Sequence, residues 1–196
     1  NSPETLLYRK SHILFGLFHA KNHIKRSGTA VVVEGYMDVI SLHQAGLRNV
    51  IAASGTSFTV EQARMISRMA KNVILLFDGD SAGRSATVRG ADNLLSTDMG
   101  IGIVTLPGDH DPDSFVREKG TEELLNLIEN PIDIWEFKLR TLDGEYSTID
   151  EKLKVAGEAA DSIAIMPDEI KREIYIREIS QRIGIDINAM TKAVNG

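Results

Sequence analysis

Three groups of carboxylates carry most of the chemistry that this sequence can offer. Val33 is followed by Glu34-Gly35-Tyr36-Met37-Asp38, and Phe77 by Asp78-Gly79-Asp80-Ser81-Ala82-Gly83-Arg84. Leu106 is followed by Pro107-Gly108-Asp109-His110-Asp111-Pro112-Asp113. Carboxylates brought close together raise one another's pKa unless a cation cancels the charge. Hard divalent ions do so through oxygen ligands, and Mg²⁺ typically takes one or two carboxylates with waters and phosphate oxygens. Asp78-x-Asp80 directly after an apolar run therefore reads as a Mg²⁺ site, with Glu34 as a third ligand or a general acid/base. Gly35 and Gly79 suit tight turns, and Gly83 opens a helix whose N-terminus could face phosphate. Arg84, in the first turn after Asp80, is placed to reach a triphosphate, or is a solvated or locally paired arginine. Taken singly, Asp-Gly-Asp is a common turn and Asp111-Pro112-Asp113 is a helix N-cap. Asp109 reads as a solvated loop acid.

What joins the three groups is the element before each. Ala30–Val33, Val50–Ala53 and Val73–Phe77 are short, continuous aliphatic runs, the pattern of parallel strands covered on both faces. Ile101–Leu106 is a weaker fourth because of Gly102. Helical patterns lie between them: Met37 to Ala45 with Gly46 as a stop, a helix opened by a Thr59/Gln62 capping box, and Ala82 to Leu95. Alternating strands and helices imply right-handed crossovers and a parallel sheet, whose ligands bind beyond the carboxyl ends of the strands. The expected fold is thus α/β, a Rossmann-like parallel sheet with flanking helices. After Pro112 the strand signals stop, and Glu122–Glu129, Ile132–Leu142, Ile149–Ala164 and Asp168–Gly184 are helical in period, forming a small helical bundle. Asp168 is the expected N-cap of the last, with Ile170, Ile174, Ile179 and Ile183 as its apolar stripe. The opening segment, with Leu14, Leu17 and Phe18, reads as one more helix. These signals divide the chain into residues 1–29, 30–113 and 114–196.

Composition bounds the rest. The 196 residues suit one full domain with a smaller companion, and 42% hydrophobic with 26% charged residues exclude wholesale disorder. The absence of Cys removes disulfides, thiolate catalysis and Cys-ligated zinc, and fits a reducing cytoplasm. No apolar run approaches the roughly 18 residues of a spanning helix, so no membrane role is expected. The first residue is Asn1 and nothing there resembles a signal peptide, as expected of a piece of a larger protein. The net charge of −6 argues at first against nucleic acid. It is uneven, however: residues 1–30 hold Arg9, Lys10, Lys21, Lys25 and Arg26 against Glu4 alone, leaving an acidic body behind a basic front.

The acidic motifs resemble the TOPRIM domain shared by topoisomerases, primases and some nucleases. The Glu-Gly-Tyr-Met-Asp form, with Ser54-Gly55-Thr56-Ser57 after the second strand and Asp111-Pro112-Asp113 after the fourth, is similar to the bacterial DnaG-type primases in particular. Asn1-Ser2-Pro3-Glu4-Thr5 resembles the stretch upstream of that family's TOPRIM segment, and Ile165-Met166-Pro167-Asp168 its helical region. The resemblance implies synthesis of short RNA primers on single-stranded DNA from ribonucleoside triphosphates, through an RNA–DNA hybrid, with Mg²⁺ or Mn²⁺. It implies Glu34, Asp78 and Asp80 as metal-binding catalytic acids, with Asp38, Asp111 and Asp113 as further members of the site. It also implies that zinc belongs to a module absent here, and that a replicative helicase is met through a domain not present here. Residues 1–29 are then the tail of an upstream basic subdomain, and the chain alone is expected to make little or no primer.

Other side chains read more plainly. A TOPRIM nuclease would use the same metal acids for cleavage and is the alternative, whereas a topoisomerase would need large domains to present a Tyr nucleophile. His12, His19 and His23 lack partners at ligand spacing and are expected in solvent. Tyr36 is expected to pack against the sheet, Phe58 could stack on a base, and Trp135 is expected in a core or at a subdomain joint.

Overall fold

The computed structural model describes residues 5, 9–53, 58–78, 91–108, 110–142 and 148–196. Asp80, Arg84, Asp109 and the Ser54–Ser57 motif lie outside these described residues, as do parts of the expected upstream stretch and of the Ala82–Leu95 helix. The chain divides into two compact units, residues 1–94 with 99–134 and residues 95–98 with 135–196.

The first unit is built on five strands in the order β2-β1-β3-β4-β5: β1 (Thr29–Val33), β2 (Val50–Ala52), β3 (Asn72–Phe77), β4 (Gly100–Thr105) and β5 (Ile132–Asp133). β1 pairs in parallel with β2 and β3, and β3 in parallel with β4. The register sets Val31 beside Ile74 and Val32 beside Leu75, so neighbouring strands end together. Residues of both parities are buried, which is why these strands read as continuous rather than alternating runs. One face carries Val31, Val33, Ile74, Leu76 and Val104 into a core completed by helices α2 (Tyr36–Gln44), α4 (Pro112–Lys119) and α5 (Thr121–Glu129), through Val39, Leu42, Phe115 and Leu124.

The sheet is mixed rather than wholly parallel. β5 pairs antiparallel with β4, Gly102 opposite Asp133 and Ile103 opposite Ile132, so the helix expected from Ile132 begins at Ile134. Gly102, which weakens the strand signal, has a steric reason to be there. A Cβ on it would lie 2.7 Å from Cβ of Pro131, the residue that leads into β5.

Helix α1 (Leu17–Ser27) follows a short 3₁₀ turn at Lys10–His12. The turn is tied to helix α3 (Val60–Ser67): buried Gln62 donates to the carbonyls of Lys10 and Ile13, and Thr59 Oγ1 donates to that of Ser11 at 2.7 Å. The capping box also forms, Gln62 N–H to Thr59 Oγ1 at 3.2 Å and Thr59 N–H to Gln62 Oε1 at 2.9 Å. Phe15 exchanges both backbone hydrogen bonds with Ala52 and so covers the β2 edge. The sequence reading separates residues 1–29 and ends the sheet domain at 113; residues 10–28 and the helices α4 and α5 pack in the sheet's own unit. Phe18 does not join the apolar face of α1, which is made by Ala20 and Ile24; Phe18 is exposed.

Both ends of α1 are glycines with positive φ, Gly16 (80°) and Gly28 (72°). A Cβ at Gly16 would lie 2.8 Å from Val39 Cγ1, whereas at Gly28 it would meet nothing within 4 Å. Gly16→Ala combines backbone strain with overpacking and is expected to cost about 2–4 kcal/mol, and Gly28→Ala about 1–2 kcal/mol. Thermal melts of the two variants check this, and Gly16→Ala should melt clearly lower.

The second unit consists of helices α6 (Ile134–Leu142), α7 (Ile149–Ala164), α8 (Glu169–Ile183) and α9 (Ile187–Asn195). Asp168 caps α8 as expected, its Oδ1 accepting from the N–H groups of Ile170 and Lys171 at 2.8 and 3.0 Å. The buried stripe of α8 is Ile176, Ile179, Ser180 and Ile183; Ile170 and Ile174 are exposed. Trp135 is core, its ring 5.3 Å from that of Tyr175. Lys138 lies over the Trp135 ring and donates to Ser162 Oγ at 2.8 Å. Among the described residues, no helix is long and apolar enough to cross a membrane.

Candidate metal centre

The strand order places the carboxylates. The chain leaves β1 for β2 on one side and then crosses to β3 on the other, so a topological switch point lies between the carboxyl ends of β1 and β3. Glu34 immediately follows β1 and Asp78 immediately follows β3, which puts both half-buried acids at that point. β4 ends at the same edge, and Asp111 and Asp113 come within eight residues of it.

Asp38 lies within electrostatic reach of the other acids. It sits in the first turn of α2, only 8% exposed, and its Oδ2 accepts the N–H of Gly35 at 3.0 Å. Burial pushes its pKa up to about 6; the Gly35 hydrogen bond opposes this, and the charges of Asp78, Asp111 and Asp113 each add to it. The acid after β3 and the acids at the start of α4 thus act on one buried carboxyl at the start of α2. Gly35 also belongs here for space, since a Cβ on it would lie 3.0 Å from Asp38 Oδ2.

Asp111 and Asp113 have structural duties as well. Asp111 is the N-cap of α4, with Pro112 at its first position, and the Ser114 N–H donated to its Oδ1 at 2.7 Å is the main reason its carboxyl is held below the usual range. Asp113 pairs with Arg117 at 2.9 Å, one turn on. The N-cap reading of this motif is thus what Asp111 does in the fold. His110, which sequence reasoning passed over, stands beside Asp111 with Nδ1 3.3 Å from Ser114 Oγ and its ring edge-on to Phe115. Its only signal was its position among the acids. Tyr36 is more than half exposed at this edge rather than packed on the sheet, touching Phe15 ring to edge at 5.9 Å. Phe58 is buried at 3% exposure and offers no face to a base.

Whether these residues suit a divalent ion turns on donor chemistry. All are hard anionic oxygens; burial is the main cause of the raised Asp38 pKa, and a cation would cancel the smaller part that the charges of Asp78, Asp111 and Asp113 add. Among the described residues no three such side chains already stand close enough to hold a metal; Asp80, the second acid of the Asp78-x-Asp80 pair, lies outside them. The set fits a hard cation in kind.

Residues 31–116 match the Toprim-like family, and residues 136–188 match the DnaB-helicase binding domain of primase. A DNA primase of Clostridium acetobutylicum is 38% identical over 188 residues, covering 94% of this chain and 31% of that protein. The chain belongs to the bacterial DnaG-type primase family. Its fold agrees: the Aquifex aeolicus primase (zinc binding and RNA polymerase domains) superposes with a TM-score of 0.82 at 33% identity, covering 96% of this chain and 45% of that one. The DnaG primase catalytic domain bound to single-stranded DNA gives a TM-score of 0.85 at 32% identity, over 96% of this chain and 62% of that one. The chain spans about a third of the length of the curated primases it matches. One expectation changes. The sequence reading assigns helicase contact to a domain outside this chain, and the segment matching the helicase-binding domain lies within it.

Proposed function

We propose that this chain carries the nucleotidyl-transfer centre of a replicative primase, which joins ribonucleotides into short RNA primers on a single-stranded DNA template. The observation that supports this reading is that Glu34 and Asp78 directly follow β1 and β3 at their switch point, while Asp38 feels the charges of Asp78, Asp111 and Asp113. Glu34, Asp78 and Asp80 would hold Mg²⁺ or Mn²⁺, with Asp38, Asp111 and Asp113 around them. A bound divalent ion supplies activation of the attacking 3′-hydroxyl and neutralisation of the leaving pyrophosphate. Glu34, half-buried at the strand end, either ligates or takes the hydroxyl proton. Asp38 holds the Gly35 turn that follows Glu34, and Arg84 is assigned a contact with triphosphate. The RNA–DNA hybrid would lie along this edge. Relatives named DNA primase do not favour the nuclease alternative.

A replicative helicase is the proposed partner of the second unit. The match over residues 136–188 supports this, together with exposed Ile149 and Leu153 on α7 and Ile170 and Ile174 on α8, each pair one turn apart. A full-length primase carrying this chain, given single-stranded DNA, ribonucleotides and Mg²⁺, is expected to yield short RNA products. DNA shortened instead, with no RNA made, would contradict the primase reading.

A further inference from the structure

A cavity of about 630 Å³ opens on the first unit, lined among the described residues by His19 and His23 of α1, His43 of α2, and Arg48. Among the described residues, the lining consists of three imidazoles and a guanidinium. His43 is five residues beyond Asp38 along α2, about 8 Å of helix rise from the acidic edge. Hydrogen bonds fix what the rings can do. His43 Nε2–H donates to the carbonyl of Val50 at 2.9 Å, leaving Nδ1 as the nitrogen that can take a proton. Arg26 donates to His23 Nδ1 at 3.0 Å; a guanidinium only donates, so the neutral ring carries its proton on Nε2. Burial, and then Arg48, His19 and His23, hold the His43 pKa below its ordinary value, and an anion entering the cavity would relieve that repulsion. A neighbouring cavity of about 540 Å³ shares His23 and Arg48 and adds Arg26 to its walls.

The second observation is Phe18, one residue before His19 on the same helix. It is 76% exposed, with Lys21 Nζ 4.9 Å from its ring centroid and the His19 ring edge-on at 5.3 Å. An exposed aromatic face set among cations beside an anion-receiving cavity is the combination that takes single-stranded nucleic acid, base on ring and phosphate among the charges. A duplex keeps its bases stacked inside and has no use for the ring, and a phosphopeptide has no base to place on it.

We propose that this face of α1 and α2 is a contact surface for single-stranded DNA, taking a backbone phosphate between His19, His23, His43 and Arg48 and stacking a base on Phe18. The inference rests on the reading of single-stranded DNA as template, and it gives the basic front of the sequence a task separate from the metal acids.

The test is fluorescence anisotropy of the chain with a labelled oligothymidine, in EDTA and without nucleotides, so that failure here is separable from failure of primer synthesis. Phe18→Ala removes an exposed ring and is expected to weaken binding about fivefold or more. Arg48→Gln is expected to weaken it and to lower the slope of log affinity against log salt by about 0.7, one phosphate contact on a single strand. Binding of a blunt duplex should be insensitive to Phe18→Ala. Unchanged affinity in both variants, no binding by the unaltered chain, or equal losses on duplex and single strand would each overturn the proposal.

Discussion

Asp78→Asn in a full-length primase carrying this chain is expected to lower primer synthesis at least about 10³-fold while the protein stays folded. The substitution keeps the side chain's shape and removes one anionic oxygen from the switch point. Charge stabilisation by a metal site is worth several kcal/mol at the transition state, and about 4 kcal/mol is a thousandfold in rate. The fold should survive because Asp78 follows β3 rather than pairing within it, and β3 is held on both sides by backbone ladders to β1 and β4. Loss of its charge also removes one of the repulsions that push the Asp38 pKa upward. Primer yield, read beside a circular-dichroism melt in EDTA, checks both halves. Activity within tenfold of the unaltered enzyme would mean that Asp78 is not at the reacting centre.

Asp38→Asn should instead separate stability from activity. The carboxyl has a pKa of about 6 in the folded chain against an ordinary 3.8, so the folded state holds the proton more tightly than the unfolded state does. Its contribution is therefore fully present below about pH 4 and is lost as pH rises through about 6. Above that, the ionised group leaves the metal-free chain destabilised by on the order of 2–3 kcal/mol. Asparagine cannot ionise, and its Oδ1 can still accept the Gly35 N–H. In EDTA, Asp38→Asn is expected to match the unaltered chain at pH 4 and to exceed it at pH 7.5, while priming falls. Denaturant melts at the two pH values decide it, and an unchanged or lower stability at pH 7.5 would contradict the assignment. Such a trade is expected where a site holds like charges together for function.

Much of this arrangement was legible from residue order alone. β1 and β3 read as strands because Val31 to Val33 and Val73 to Leu76 are buried at successive positions, which only a sheet covered on both faces allows. With parallel strands inferred, residues that follow them must share an edge, which puts Glu34, Asp78 and the segment running to the N-terminus of α4 at one end of the sheet. β5 was not legible: a two-residue strand between Pro131 and a helix has no period of its own, and Ile132 stands three residues before Trp135, at helical spacing. The α8 stripe was misaligned because five isoleucines fit two helical faces, and packing on the neighbouring helices selects Ile176, Ile179 and Ile183. The histidine cavity was hidden for another reason. His19 and His23 sit one turn apart, but His43 and Arg48 reach them only through the packing of α1 and α2 beside β2.

The most direct test of the central claim is an anomalous difference map from crystals of this chain soaked in Mn²⁺. The account predicts a peak at the β1/β3 switch point, within about 2.5 Å of carboxylate oxygens of both Glu34 and Asp78. A soaked crystal with no peak there, or with Mn²⁺ held only by other residues, would contradict it.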